Sequence, residues 1–183
     1  MSPTQTVAHV NALRRSGRYR AIEPFLLDEQ RPHIIALIQS VDRLLTANGV
    51  LQAAITDRLG PASAQPFDRA SVGDIIGVFS MNLRVHDERI DGDTAVVTIE
   101  VGGRLPLDEV TLRRRDRRWV IETDPPRPAV TAELFRLADV LTDVARDVRT
   151  RSFTADELRR ELAFRLAPIG HRLMARTSAP PDG

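Results

Sequence analysis

The most constraining feature of this sequence is the regular alternation of apolar and polar residues in its middle third. Ala95, Val97, Ile99 and Val101 stand at every second position, which is the period of a β-strand with one buried face. Asp91-Gly92, just before this run, is a strong hairpin signal because glycine readily accepts a positive φ. Similar runs on either side predict an antiparallel sheet of about four strands. Their apolar members are Phe79, Met81, Leu83 and Val85, then Val110 and Leu112, then Trp119 and Ile121.

The stretch between the third and fourth expected strands is rich in arginine. Residues 111–122, TLRRRDRRWVIE, contain five arginines, one aspartate and the only tryptophan of the chain. One interpretation is a nucleic-acid binding site, and the other is a hairpin tip whose arginines are exposed to solvent. The net charge is only +1, whereas single-strand binders combine a basic groove with several aromatic stacking platforms. We therefore expect a hairpin, with Trp119 in the core, and no nucleic-acid partner.

Helical periodicity dominates the N-terminal third. A first helix, capped by Thr4 or Thr6, is expected to run to about Arg15. The elements expected after it are a short helix over 18–27 interrupted at Pro24, a helix over 31–48 with Asn48-Gly49 as its C-cap, a helical piece over 50–59 and a loop over 60–74.

The sequence after residue 128 is helical again. An apolar stripe begins at Thr131, and Thr154 to Glu157, TADE, is a capping box. Pro168 is expected to kink or end the last helix. Amphipathic stripes bury one face of a helix against a neighbour, so we expect two C-terminal helices packed on the preceding domain.

Residue types that are missing from the chain exclude several activities. Without cysteine there is no thiol catalysis, thiolate zinc site or disulfide, and without lysine there is no Schiff base or phosphate-loop lysine. The four histidines offer no pair at the i, i+4 spacing of a zinc helix. We therefore expect neither a bound metal nor a cofactor.

The sequence also lacks the features that are typical of membrane proteins and of exported proteins. No apolar run approaches the ~20 residues of a membrane span, and the N-terminus lacks the basic and apolar regions of a signal peptide. We expect no membrane partner. As it stands the chain is expected to be cytoplasmic, and exported if a leader was trimmed from it.

Two stretches carry a resemblance to a known superfamily. The first is AHVNALRRSGRYRAIEPFL, residues 8–26, and the second is IDGDTAVVTIEV, residues 90–101, followed by EVTLRRRDRRWVIE, residues 109–122. They resemble the opening helices and the sheet of bacterial members of the nuclear transport factor 2-like (cystatin-like) superfamily. The final hairpin of that superfamily commonly ends in Gly-x-Trp, and Arg117 stands at the glycine position here. The resemblance implies a sheet that wraps a helix into a cone with a pocket.

The expected fold is therefore α+β: N-terminal helices packed on a curved antiparallel sheet of about four strands, followed by two C-terminal helices. The expected boundaries are 4–124 for the nuclear transport factor 2-like domain, 129–176 for the helical extension and 177–183 for a frayed tail.

The resemblance implies either a binding pocket or an isomerase-type site in the cone. The catalytic candidates are Asp87, on the apolar face near the end of the first strand, and Tyr19, the only tyrosine. We favour the interpretation of Asp87 as an edge residue that enters solvent near the hairpin. The residues expected to bind a ligand are Phe79, Met81, Leu112, Trp119 and Ile121.

The expected function is that of a non-catalytic ligand- or protein-binding module. The alternative is a small-molecule isomerase, cyclase or hydrolase that uses a carboxylate in the cone pocket. The expected partner is a small apolar ligand or another protein, and a homodimer is left open.

Overall fold

The computed structural model describes residues 1–64, 73–123 and 128–178, without the side chains of residues 73–75 and 174–178. The chain has the α+β fold that the sequence predicts: helices, then a four-stranded antiparallel sheet, then helices. The helices are α1 (Pro3–Arg15), α2 (Arg31–Leu59), α3 (Pro61–Ala64), α4 (Pro128–Thr150) and α5 (Ala155–Ser178), with 3-10 segments at Tyr19–Ala21, Glu23–Phe25 and Gly73–Phe79. The strands are β1 (Leu83–Asp91), β2 (Thr94–Val101), β3 (Asp108–Arg115) and β4 (Arg118–Glu122).

The chain divides into two compact units. The sheet unit comprises Met1–Ile38 and Ala70–Pro125, and the helical unit comprises Gln39–Arg69 and Pro126–Gly183. Helix α2 therefore contributes its first residues to one unit and the remainder to the other. The division at 4–124 and 129–176 stays a prediction, as does the packing of the C-terminal helices on the preceding domain.

The sheet unit is built on an antiparallel meander in the order β1-β2-β3-β4. Alternate residues are buried as the period of two predicts: Ala95 pairs with Leu112, and Leu112 pairs with Ile121, all on one face. Helix α1 covers this inner face and contacts β1, β2 and β4. Helix α1 also contacts the segment that precedes β1, since the side-chain Nδ2 of Asn11 donates to the Ser80 carbonyl at 2.6 Å. Burial of the inner face under α1 supplies the hydrophobic stabilisation of this unit.

Helix α1 begins earlier than the sequence predicts. Ser2, and not Thr4 or Thr6, is its N-cap: the Gln5 N–H donates to the Ser2 hydroxyl at 3.2 Å, and the Ser2 N–H donates to the Gln5 side chain at 2.9 Å. Pro3 follows in the first turn, where a missing N–H leaves no hydrogen bond unmade. The complete capping box therefore fixes the start of the helix at Pro3.

The first strand begins later than the alternation of residues 79–85 suggests. Phe79 ends a 3-10 segment, and β1 starts only at Leu83. Gly77, within that segment, has a φ of 54° and a ψ of −120°, a combination open to glycine and costly for other residues. Residues 81 and 82 then form a bend, so the backbone is not extended at the start of the alternating stretch.

Helix α2 runs unbroken through Asn48-Gly49, where a C-cap was expected. Its buried stripe continues on both sides of the glycine, through Leu44, Ala47, Leu51 and Ile55. Burial of these side chains outweighs the ~1 kcal/mol that a glycine costs in a helix interior. The short helix expected over 18–27, by contrast, is replaced by two 3-10 turns.

By length and composition, α2 is the one helix in the described ranges that is suited to span a membrane. The core helix of a soluble protein and a signal sequence share this property, and 39% of its most apolar window is buried within the fold. An apolar run of this length was not expected, because a C-cap was expected at Asn48-Gly49.

The capping box at the start of α5 is confirmed. Glu157 accepts a hydrogen bond from the Thr154 N–H at 2.8 Å, and its own N–H donates to the Thr154 hydroxyl at 3.3 Å. The backbone and side-chain hydrogen bonds from Thr154 hold the pKa of Glu157 below its usual value. Pro168 does not end the helix, which continues to Ser178. The expected frayed tail lies largely outside the described residues.

Charged side chains join α4 to α5 in the helical unit. Glu133 of α4 is fully buried, and its carboxylate accepts hydrogen bonds from Arg136 at 2.6 Å and from Arg172 of α5 at 3.0 Å. Arg165 of α5 donates to Asp147 of α4 at 2.7 Å, and this hydrogen bond raises the pKa of the guanidinium. The two helices are therefore held together by ion pairs as well as by apolar contacts.

Candidate ligand groove

Asp87 lies on the face of the sheet opposite to the one that the sequence pattern indicates. A β-bulge at His86 shifts the register of β1 on β2, so that Val85 pairs with Ile99 but Asp87 pairs with Thr98. An extra residue in one strand reverses the facing of the side chains that follow it. Asp87 is consequently exposed on the outer face, away from α1.

Tyr19, the other catalytic candidate, is half-buried in the 3-10 turn that follows α1. The two candidates therefore lie on different elements, one in the connection after α1 and one on β1. Across residues 1–64, 73–123 and 128–178, no group of three or more histidines and acids is arranged to hold a metal ion.

The residues expected to bind a ligand are mostly core residues of the sheet unit. Phe79, Leu112, Trp119 and Ile121 are buried, whereas Met81 is 38% exposed. None of the five lines the groove that the structure shows in this unit.

This groove, with a volume of about 640 Å³, lies beside β4, the last strand of the sheet. One wall is the segment of residues 20–31, and the other is the tip of the β3–β4 hairpin. Leu26 forms a parallel bridge with Ile121, and the Gln30 side-chain Nε2 donates to the Thr123 carbonyl at 2.6 Å. The segment is thereby held against the strand, and the space between the walls is of the size that accepts a small ligand.

Positive and negative side chains line the groove in equal number. They are Arg20, Arg31, Arg115 and Arg118, and Glu23, Asp28, Glu29 and Asp116. Arg31 and Asp28 form an ion pair at 2.5 Å. Among the residues that the structure describes, the side chains of the other six make no ion pair or hydrogen bond. The groove is therefore polar, close to neutral, and largely free of internal ion pairs.

The arginines of the hairpin have distinct surroundings. Arg113 pairs with a glutamate of β4 at 2.7 Å. The guanidinium of Arg114 lies 5.9 Å from the centre of the Trp119 ring, which is buried as the sequence predicts. Arg115 and Arg118 lie directly opposite each other on the two strands and line the groove. The hairpin is confirmed, and two of its arginines face a concave surface.

Asp116 and Arg117 form the turn of this hairpin. Their φ angles are 47° and 65°, and positive φ at both central positions is the type I′ pattern that favours Asn-Gly. A side chain in this left-handed region crowds its own backbone, which glycine avoids. The backbone at Arg117 thus adopts a conformation that favours glycine.

No local sequence pattern indicates the wall formed by residues 20–31. Arg20, Glu23 and Glu29 lie far upstream of the hairpin, and the first two fall in residues 18–27, where a short helix was expected. The bridge between Leu26 and Ile121 and the hydrogen bond from Gln30 to Thr123 bring them to the arginines of β3 and β4. A contact between distant segments of this kind has no signature in residue spacing.

Comparison of the chain with protein-family models, with curated proteins and with solved structures finds no match.

Proposed function

We propose that the chain is a non-catalytic binding module and that the groove beside β4 is its ligand site. The observation that carries this proposal is the set of six charged side chains that line the groove and pair with no other described residue. A side chain already engaged in an ion pair must lose that partner before it binds a ligand, whereas these six need not. The groove is therefore prepared for a ligand of complementary charge.

The character of the groove favours a polar ligand over the small apolar one that the resemblance implies. Its walls are charged, and its apolar surface comes from Pro24, Leu26, Leu27 and Val120. Ligand sites commonly combine apolar surface with a few fixed polar groups that set orientation. A small polar molecule, or a polar segment of a partner protein, fits this combination.

The surroundings of Asp87 support binding without catalysis. A carboxylate base of the isomerase type works in an apolar pocket from which water is excluded. Asp87 is instead exposed on the outer face of β1. We also propose kinship with the nuclear transport factor 2-like superfamily, supported by the order of α1 followed by a meander of strands.

The test is a thermal-shift screen with a defined panel of amino acids, dipeptides, sugar phosphates and fatty acids. A ligand that binds only the folded chain stabilises it by about 2.7 kcal/mol at a hundredfold excess over its Kd. We expect hits among the polar compounds, and we expect Leu27→Trp, which adds bulk at the groove, to abolish them. Leu107→Trp changes a half-buried leucine of the same unit outside the groove and serves as the matched control.

Two results contradict the proposal. One is a hit whose effect survives in Leu27→Trp, because that ligand binds elsewhere. The other is a hit that NMR shows to be chemically altered after prolonged incubation with the protein, because the chain would then be an enzyme.

A further inference from the structure

Two of the arginines that line the groove lie side by side. Arg115 and Arg118 are directly opposite partners in the β3–β4 register, and directly opposite residues of an antiparallel pair have neighbouring side chains on the same face. Like charges in this relationship destabilise a sheet. In the described part of the chain neither guanidinium has a carboxylate partner.

The turn between the two arginines is also unfavourable. Asp116 and Arg117 both have positive φ, although glycine would relieve the strain at the second position. Residues in strained backbone conformations cluster at active sites and ligand-binding sites. Both features occur here within four consecutive residues, 115–118, three of which line the groove.

We propose that Arg115 and Arg118 bind the oxyanion group, a carboxylate or a phosphate monoester, of the ligand that the groove accepts. This inference rests on the proposed function of the groove. A guanidinium presents a planar fork of donors that matches the oxygens of a carboxylate or phosphate. Two adjacent forks can share one oxyanion, which removes their mutual repulsion. Arg20 on the opposite wall supplies a third unpaired cation to the same space.

The acidic residues of the groove restrict this ligand to a small number of negative charges. Glu23, Glu29 and Asp116 line the same space without ion-pair partners in the described ranges. They repel a polyanion such as nucleic acid, whose binding needs an extended basic surface. A ligand with one anionic group meets the arginines and keeps the rest of its surface away from the carboxylates. Repulsion of the wrong ligand contributes to specificity as much as attraction of the right one.

The experiment uses three probes that share one ring and differ in the attached group: phenyl phosphate, benzoate and neutral benzamide. Binding to the full chain is measured by isothermal titration calorimetry at constant ionic strength, beside a short thymidine oligonucleotide. We expect one or both anions to bind at one site per chain and benzamide to bind far more weakly. The preferred anion identifies the phosphoryl or the carboxylate source.

The variant Arg115→Ser/Arg118→Ser is expected to lower the affinity for the anion by about tenfold or more, the effect of losing charge-assisted hydrogen bonds. The control Arg84→Ser/Arg89→Ser removes two exposed arginines of β1, which have no ion pair among the described residues, and should leave the affinity unchanged. If the serine variant does not fold, Arg115→Lys/Arg118→Lys keeps the charge and loses the fork. That variant should also bind more weakly.

Several outcomes overturn the inference: no binding of either anion, equal binding of benzamide, full affinity in the lysine variant, or equal losses in the test and control variants. Tighter binding of the oligonucleotide, lost with the same two arginines, would show a nucleic-acid site instead. If the anions fail while polar hits of the thermal-shift screen still disappear in Leu27→Trp, the oxyanion inference is wrong and the proposed function stands.

Discussion

The carboxylate of Glu88 on β1 accepts a hydrogen bond from the backbone N–H of Thr4 in the first turn of α1, at 2.7 Å. The N–H groups of a first helical turn have no carbonyl partner within the helix. Glu88 therefore satisfies one of these donors from a strand that lies 84 residues along the chain. The Thr4 hydroxyl and this backbone N–H hold the pKa of Glu88 below its usual value of 4.5.

This contact predicts a stability difference that depends on pH. Because the pKa of Glu88 is lower in the folded than in the unfolded chain, its stabilisation is present above pH 4.5 and is lost as the pH falls through the folded-state value. Glu88→Gln should lower the free energy of unfolding by about 0.5–1 kcal/mol at pH 7, and by less at pH 3. Urea unfolding followed by Trp119 fluorescence measures both. Glu109→Gln, an exposed carboxylate of β3, is the control, and equal losses at the two pH values would contradict the prediction.

Trp119 is expected to be a major source of stability in the sheet unit. It is 8% exposed on the inner face, beside Leu112 and Ile121. Trp119→Ala should cost about 3–5 kcal/mol, the range for removal of a large buried aromatic side chain. Trp119→Phe, which keeps one ring, should cost less. Circular dichroism melts compare the variants, and a red-shifted, solvent-type emission of the native protein would show that the burial is wrong.

Replacing the turn residue Arg117 by glycine is expected to raise the free energy of unfolding. Its φ of 65° costs an L-residue about 1 kcal/mol, which Arg117→Gly should recover in part. Arg89→Gly is the matched control, because Arg89 is an exposed arginine within strand β1, where a glycine loses stability. The urea midpoint should rise in Arg117→Gly and fall in the control variant. A loss of stability in Arg117→Gly would mean that its side chain makes a compensating contact.

Two glycines with open surroundings should respond in opposite ways to the same substitution. A methyl group at Gly92 or at Gly170 meets no atom within 4 Å, but Gly92 has a φ of 56° and Gly170 lies within α5. Gly170→Ala should stabilise the helical unit by about 0.5–1 kcal/mol. Gly92→Ala should destabilise the sheet unit by about 1 kcal/mol. Chemical unfolding of both variants tests the sign, and a shared sign would show that backbone conformation does not decide the outcome.

The buried carboxylate of Glu133 should contribute more to stability than an exposed carboxylate on the same helix. Its oxygens lie between Arg136 and Arg172, and the side chain is 0% exposed. Glu133→Gln should cost about 1–3 kcal/mol, because it weakens charge-assisted hydrogen bonds in a buried position. Asp143→Asn, which breaks an exposed i, i+3 pair with Arg146, should change stability by less than about 1 kcal/mol. Thermal unfolding measures the pair, and similar losses would contradict the argument.

The elements that followed from sequence are those with strictly local causes. The alternation of β2, the turn at Gly92 and the capping box at Thr154 each depend on residues within a few positions of one another, and all three are present. The hairpin of residues 111–122 was also predictable, because two alternating runs flank a short polar turn. Local periodicity therefore accounts for most of the α+β architecture.

The errors arose where distant contacts overrule local signals. Gly49 was expected to end a helix, but buried residues on both sides continue α2 through it. The bulge at His86 reversed the facing of Asp87, and a bulge has no reliable signature in a strand pattern. The candidate groove was missed for the same reason, since its two walls meet through contacts between distant segments, the pairing of Leu26 with Ile121 and the hydrogen bond from Gln30 to Thr123.

The position of α1 on the sheet also fixes an order of events during synthesis. The residues that it contacts come much later in the chain. Asn11 forms its hydrogen bond with Ser80, 69 residues further on, and Thr4 forms its hydrogen bond with Glu88. A helix of 13 residues is marginal in water without a surface to cover. As the chain emerges from the ribosome, its apolar face therefore stays uncovered until the strands have followed it out. Helix α1 is therefore made before its partners and reaches its place only after them.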